Sequence, residues 1–308
     1  MTTRTFGPTR LVRAASLCRP DWDVYLKLET DLPTGTFKVR GAVHSLSVNI
    51  AKGPVAEVVA ASTGNHGAAV AYAAMRLKTR AKIFVPSVSS QAKVQRIREL
   101  GATLVESGAD LTAAIDAAYA DAARAGAFFL HDASDPDVPN GTATIGVEIV
   151  EQLPGVEAVY VPMGDTALIR GVAAAAKRLK PSITIVGVVA EQAPAYFHSW
   201  RSGAVVETET ANTIADGLAV RRPLAPNVAS IRALVDDVEM VSERELLAAI
   251  GWLEAREAVV AEPAGAAATA ALLKRHDRER VVVALVTGRN IAPEILERAR
   301  REAPAGAG

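Results

Sequence analysis

From Glu57 onward the chain alternates short apolar runs with longer stretches of helical period. Residues 57–61, 81–85, 103–105 and 128–130 read as strands, and 65–77, 91–100 and 111–125 read as helices. After Asp135-Pro136-Asp137 the pattern resumes, with strands at 159–161, 183–189 and 281–286 and helices at 142–152, 168–179, 243–255, 264–274 and 293–301. Strands separated by helices of this length cannot be hairpin partners. They must pair in parallel, with helices covering both faces, so the expected fold class is α/β with open, mostly parallel sheets.

The 308 residues are enough for two moderate domains, each with its own core. The expected division places residues 57–136 in a smaller domain inserted into a larger one made of 1–56 and 137–308. Lys plus Arg and Asp plus Glu number 34 each, which argues against nucleic acid and an anionic membrane surface as partners. The single Cys18 excludes an internal disulfide framework and a cysteine-cluster metal site, and fits a reducing compartment. The N-terminus has no long apolar segment of the signal-peptide kind, and no apolar run approaches the roughly 20 residues that span a bilayer. A cytoplasmic protein is expected. The five histidines show no metal-ligand spacing, so no metal is expected, and no dinucleotide, Walker, zinc-protease or nucleophile-elbow motif occurs.

The chemistry must then sit in the loops beyond the carboxyl ends of the strands, where open parallel sheets bind ligands. The segment Pro33-Thr34-Gly35-Thr36-Phe37-Lys38-Val39-Arg40-Gly41-Ala42 puts a lysine at a helix start just after a turn. With Phe37 and Val39 as neighbours, Lys38 is either a first-turn surface lysine or an amine whose apolar surroundings ease loss of its proton, as carbonyl attack requires. Ser62-Thr63-Gly64-Asn65-His66-Gly67 joins a strand to a helix. Its hydroxyls and N–H groups could hold a carboxylate, or Ser62 or Thr63 could simply cap the helix, with His66 packing the loop. Met163-Gly164-Asp165-Thr166-Ala167-Leu168 could cradle a phosphate; Asp165 would repel one unless turned away, and serves equally as a helix cap. Thr213-Ile214-Ala215-Asp216-Gly217 and Thr287-Gly288-Arg289-Asn290 complete the set.

Taken in order, together with Lys27-Leu28-Glu29 and Glu262-Pro263-Ala264-Gly265-Ala266, these segments resemble the pyridoxal-phosphate enzymes of fold type II, the group of threonine and serine dehydratases, serine racemase and threonine synthase. The resemblance runs over nearly the whole chain and implies a tryptophan-synthase-beta-like architecture with pyridoxal 5'-phosphate as cofactor. It implies that Lys38 carries the cofactor as a Schiff base, Phe37 lies against its ring and Asn65 bonds its hydroxyl. Gly164, Asp165, Thr166, Ala167 and Leu168 would take the phosphate, Thr287 would face the pyridine nitrogen, and Gly217 and Glu262 would complete the cofactor site. Ser62, Thr63, Gly64, Asn65 and His66 would hold the substrate carboxylate. The implied reaction is α,β-elimination on a β-hydroxy amino acid, giving a 2-oxo acid and ammonia, with Lys38 as base. Racemisation, β-replacement and a ligand-binding pseudoenzyme are the alternatives. A homodimer is implied by the resemblance alone.

Several positions depart from that pattern. Side chains at Asp165, Thr166 and Ala167 stand where the dehydratases carry glycines, and Arg289 replaces another. Thr63 stands where serine racemase has a serine acting as base, and its β-branch restricts the hydroxyl, so racemisation is implied as a side activity. Glu191 matches one metal-binding acid of the racemase-like members, but Phe197 occupies the approximate place of the second. The chain ends soon after the Thr287 loop, so feedback control through a C-terminal regulatory domain is not expected.

Overall fold

The computed structural model describes residues 5–62, 64–87, 91–274 and 280–302. Ten strands and eleven α-helices are found among them, in the order β1 (Leu11–Arg13), β2 (Asp23–Leu28), α1 (Lys38–Lys52), β3 (Glu57–Ala61), α2 (Asn65–Leu77), β4 (Arg80–Val85), α3 (Gln91–Glu99), β5 (Thr103–Glu106), α4 (Leu111–Ala125), β6 (Phe128–Phe129), α5 (Val138–Gln152), β7 (Ala158–Pro162), α6 (Ala167–Leu179), β8 (Thr184–Ala190), α7 (Ala195–Ser202), α8 (Ala225–Leu234), β9 (Asp237–Val241), α9 (Glu243–Glu257), α10 (Pro263–Lys274), β10 (Val281–Val286) and α11 (Pro293–Glu302). The chain divides into two compact units.

The first unit comprises Leu32–Thr142 and the described residues up to Gly7. Its four strands run in the order β5-β4-β3-β6, all parallel. Period-2 alternation sends Val59, Ala61 and Phe84 to one face, where Ala114, Ala118 and Ala122 of α4 pack on them at helical spacing. On the other face Gly67 of α2 lies against Ile83 and Ile97; a Cβ there would come within 2.9 Å of Ile97 Cδ1. α4 is fixed at both ends: Asp110 accepts the N–H of Ala113 at 2.9 Å, and Gly126 closes the helix at φ 62°.

The second unit comprises Pro8–Asp31 and Ala143–Gly308. Its six strands run β1-β2-β10-β7-β8-β9, with β1 antiparallel to β2 and the rest parallel. α10 is buried nearly all round, which its small-residue run Ala-Gly-Ala-Ala-Ala permits, and packs with α9 against Val24, Leu26, Tyr160, Val282 and Ala284. α9 begins with a capping box between Ser242 and Glu245.

Two differences from the expected layout have clear causes. α5 starts at Val138, four residues before the expected 142. Asn140-Gly141 reads as a breaker in sequence, yet Asp135 accepts the N–H groups of Asp137 and Val138 and caps the turn. Gly141 is there because α1 crosses tightly: a Cβ would stand 2.4 Å from the Arg40 carbonyl oxygen. The same packing of α1 on α2, and of Gly41 on Val138, gathers residues 32–56 with the first unit, whereas the expected division put them with the larger domain.

Candidate active site

Lys38 is the first residue of α1, with Phe37 at the N-cap position. Its Nζ lies 2.6 Å from Oδ2 of Asp132 and 5.4 Å from the centre of the Phe37 ring. Apolar flanks were the sequence argument for an unusual lysine. The structure adds a carboxylate that directly faces the amine. Asp132 follows β6, which pairs with β3, so the loops after both strands emerge at the same sheet edge.

The loop after β3 occupies that edge. Ser62 is buried and its hydroxyl accepts the N–H of Gly64 at 3.1 Å. Gly64, not Ser62, takes the N-cap position of α2, and it makes no side-chain cap. The first turn of α2, with Asn65 and His66, therefore presents N–H groups that no residue of the helix can accept. His66 is buried, with Nε2 3.1 Å from the Leu130 carbonyl oxygen and Nδ1 3.7 Å from Asp132 Oδ2. Burial is the main force holding its pKa below the ordinary imidazole value; the Asp132 charge opposes it. Thr63, expected to contact substrate, lies outside the described residues.

In the second unit four loops meet through glycines. A Cβ on Gly164 would stand 2.0 Å from the Gly217 carbonyl oxygen, one on Gly217 3.0 Å from Ala264 Cβ, and one on Gly265 2.4 Å from the Gly288 carbonyl oxygen. Glu262 donates its N–H to that same Gly288 oxygen at 2.9 Å. The 213–217 loop is tied down by Glu243, which accepts the Thr213 hydroxyl and the Ile214 N–H. Thus Gly164, Gly217, Glu262 and the Thr287 loop, distant in sequence, form one backbone cluster. Thr287 is buried at its rim, beyond the end of β10. Thr166 caps α6 at φ 73°, a left-handed conformation costly for a β-branched residue. Its Oγ1 is buried without a hydrogen bond; the Tyr196 hydroxyl interacts with it but does not reach hydrogen-bonding geometry. Asp165 turns its carboxylate onto the Ala167 N–H at 3.0 Å.

Residues 2–288 match the family described as "Pyridoxal-phosphate dependent enzyme". The chain belongs to this family. It is 37% identical to the L-threonine ammonia-lyase of Thermotoga maritima over 90% of this chain and 69% of that protein. It is 35% identical to the catabolic L-threonine dehydratase of Escherichia coli over 87% of this chain and 83% of that one. Among solved structures, the processed threonine deaminase isoform 2 of Solanum lycopersicum superposes with a TM-score of 0.91 at 30% identity, covering 97% of this chain and 84% of that chain. This pyridoxal-phosphate-dependent enzyme has the fold type II architecture expected from its motifs, with pyridoxal 5'-phosphate as its cofactor.

The residues present fit that cofactor. The buried, unbonded hydroxyl of Thr166 is a donor without a protein acceptor, and it sits at the N-terminus of α6, where an anion is favoured. Gly164 lets the candidate phosphate loop pack directly against the Gly217 carbonyl, which no residue with a Cβ could do. The charged Asp165 works against it, since its carboxylate already engages the Ala167 N–H. The structure thus places Lys38, Phe37, Ser62, Gly64, Asn65 and His66 in the first unit, and Gly164 to Leu168, Gly217, Glu262 and Thr287 in the second. Asp132 escaped the sequence reading. The signal was present, a His-Asp pair just after a strand, but only the β3–β6 pairing shows which loops share an edge. Among the described residues no group of three or more His, Cys, Asp or Glu is placed to hold a metal ion, and no helix is long and apolar enough to cross a membrane.

Proposed function

We propose that this enzyme is an ammonia-lyase of the threonine dehydratase kind, which removes the β-hydroxyl and amino groups of threonine or serine to give a 2-oxo acid and ammonia. The observation that carries this reading is the likeness to threonine ammonia-lyases over nine-tenths of the chain. When bound, pyridoxal 5'-phosphate supplies an aldehyde for the amine and a ring that withdraws electrons from the adjacent carbon. Lys38 would hold it through Nζ beside the Phe37 ring, and Asn65 would hydrogen-bond the ring hydroxyl. Gly164, Asp165, Thr166, Ala167 and Leu168 would hold the phosphate, with Thr166 as donor; Gly217 packs against Gly164, and Glu262 would complete the site beside the Gly288 carbonyl. Thr287 offers the pyridine nitrogen a neutral hydroxyl, which does not hold a proton on it as a carboxylate would. Facing that hydroxyl, the cofactor would supply only a moderate electron sink, which would favour elimination over transamination. Ser62, Gly64, Asn65 and His66 would bind the substrate carboxylate at the start of α2, where the helix dipole favours an anion, with Thr63 as a further expected substrate contact. Lys38, released by the substrate amine, takes the α-proton on Nζ as general base, and the β-hydroxyl leaves as water.

The purified protein with cofactor is expected to show a visible absorption band that Lys38→Ala abolishes, and to release 2-oxo acid from threonine or serine. A protein that stays colourless with added cofactor overturns the reading, as does racemised or β-substituted product without 2-oxo acid. We further read the enzyme as a cytoplasmic homodimer acting on free amino acids; sedimentation of the purified protein tests the dimer.

A further inference from the structure

One carboxylate oxygen of Asp132 lies close to both Lys38 and His66: Oδ2 is 2.6 Å from Lys38 Nζ and 3.7 Å from His66 Nδ1. The other imidazole nitrogen, Nε2, is 3.1 Å from the Leu130 carbonyl oxygen. A carbonyl only accepts, so Nε2 carries the hydrogen. Burial keeps the ring neutral, which leaves a lone pair on Nδ1. Asp132 therefore has the lysine ammonium in hydrogen-bonding contact and, 3.7 Å away, a neutral imidazole whose tautomer is fixed by the backbone.

We propose that Asp132 is the proton partner of Lys38, taking a proton from Nζ onto Oδ2 beside the neutral His66 ring, an assignment that rests on the reading of Lys38 as the cofactor lysine. The transfer converts an ammonium–carboxylate pair into a neutral amine and a neutral acid with no change in net charge. The amine can then attack a carbonyl or take a proton from carbon. Once Nζ has taken the α-proton, the Lys38–Asp132 pair holds two protons. One leaves with the departing hydroxyl oxygen as water, and the ion pair is restored. Among the described residues, the charged and titratable groups near the pair include His131, whose Nδ1 lies 3.1 Å from the Ser134 hydroxyl and whose charge opposes protonation of His66, and the Phe37 ring flanks Nζ.

The test is competitive acetylation of the cofactor-free protein across pH, with Lys38 read by peptide mass. A carboxylate favours the ammonium form, so Asp132→Asn lowers the pH midpoint of Lys38 labelling by about one unit or more, and Asp132→Glu keeps it near the native value. On adding pyridoxal 5'-phosphate, the rate of appearance of the visible band shifts to lower pH by the same amount in Asp132→Asn. Turnover falls by roughly 100-fold although the band forms. Far-UV circular dichroism checks folding, and Asp132→Ser replaces Asp132→Asn if the latter does not fold. An unchanged labelling midpoint in the folded variant overturns the assignment. Failure of the native protein to form a visible band overturns the cofactor reading instead, and the labelling result stands apart from it.

Discussion

The carboxylate of Asp165 accepts the backbone N–H of Ala167, the first residue of α6, at 3.0 Å. It thereby occupies a donor at the helix end assigned to the cofactor phosphate, and places a negative charge beside it. At about 4 Å this repulsion is worth about 1 kcal/mol where water screens it fully, and more where it does not. Asp165→Asn keeps an oxygen for the N–H and removes the charge. Its dissociation constant for pyridoxal 5'-phosphate, measured by titrating the cofactor-free protein, should fall about fivefold; an increase would mean that the charge holds the loop in shape.

Thr166 pulls in two directions at the next position. Its φ of 73° is strained for a β-branched side chain, while its buried Oγ1 lacks a hydrogen bond until an acceptor arrives. Thr166→Gly relieves the strain and removes the orphaned hydroxyl, so the cofactor-free protein should gain about 1–2 kcal/mol in denaturant unfolding. The same variant should bind cofactor more weakly, because a donor to the phosphate is gone. Gain and loss in one substitution distinguish a strained binding residue from a merely tolerated one.

Gly164 allows no such exchange. A methyl group would be driven to 2.0 Å from the Gly217 carbonyl oxygen, a backbone atom that cannot step aside alone. Gly164→Ala must part the two loops. We expect a loss of about 3 kcal/mol or more in unfolding free energy and no visible cofactor band.

Lys27 anchors the second unit from inside. It is fully buried, and its Nζ donates to Glu148 at 2.6 Å, the Thr9 carbonyl at 2.9 Å and Gln152 at 2.8 Å. Thr9 also bonds both Glu148 and the buried Glu29, which ties the strand preceding the site to α5. Lys27→Met leaves Glu148 buried opposite an apolar side chain and should cost about 3–5 kcal/mol, whereas Lys27→Met with Glu148→Leu should cost much less. Equal costs in chemical denaturation would show that the lysine contributes through packing alone.

Legibility in the sequence followed from how local each cause is. β10 and α4 have the bounds read from sequence, because an all-apolar run and an Asp-to-Gly capped alanine helix carry their own signals. β1 has three residues and exists only by pairing with Tyr25 to Lys27. α8 opens with Ala225-Pro226-Asn227, which reads as a loop; Asn227 instead donates to the Asp165 carbonyl and the Tyr196 hydroxyl. The motif residues were legible because backbone constraint fixes their type, as with Gly164 against Gly217. Asp132 was not, since its meaning depends on a neighbouring strand brought in from far along the chain.

His66 gives the fold a pH response of predictable sign. Its pKa in the folded protein lies below the ordinary 6.5, chiefly through burial, and His44 is shifted the same way for the same reason. Below 6.5 the unfolded chain binds protons that the folded protein refuses, so protonation favours unfolding. Stability should therefore be level above about pH 7 and fall as pH drops from 6.5 toward 5, before carboxylate pairs begin to titrate. The limiting slope is about 1.4 kcal/mol per pH unit for the buried His66, and less for the half-buried His44. Denaturant midpoints at pH 7.5, 6.5 and 5.5 measure it. Replacing His66 with Gln should flatten the curve by one histidine's share; an unaltered slope would place the pH sensitivity elsewhere and mean that the His66 ring is not kept neutral in the folded protein.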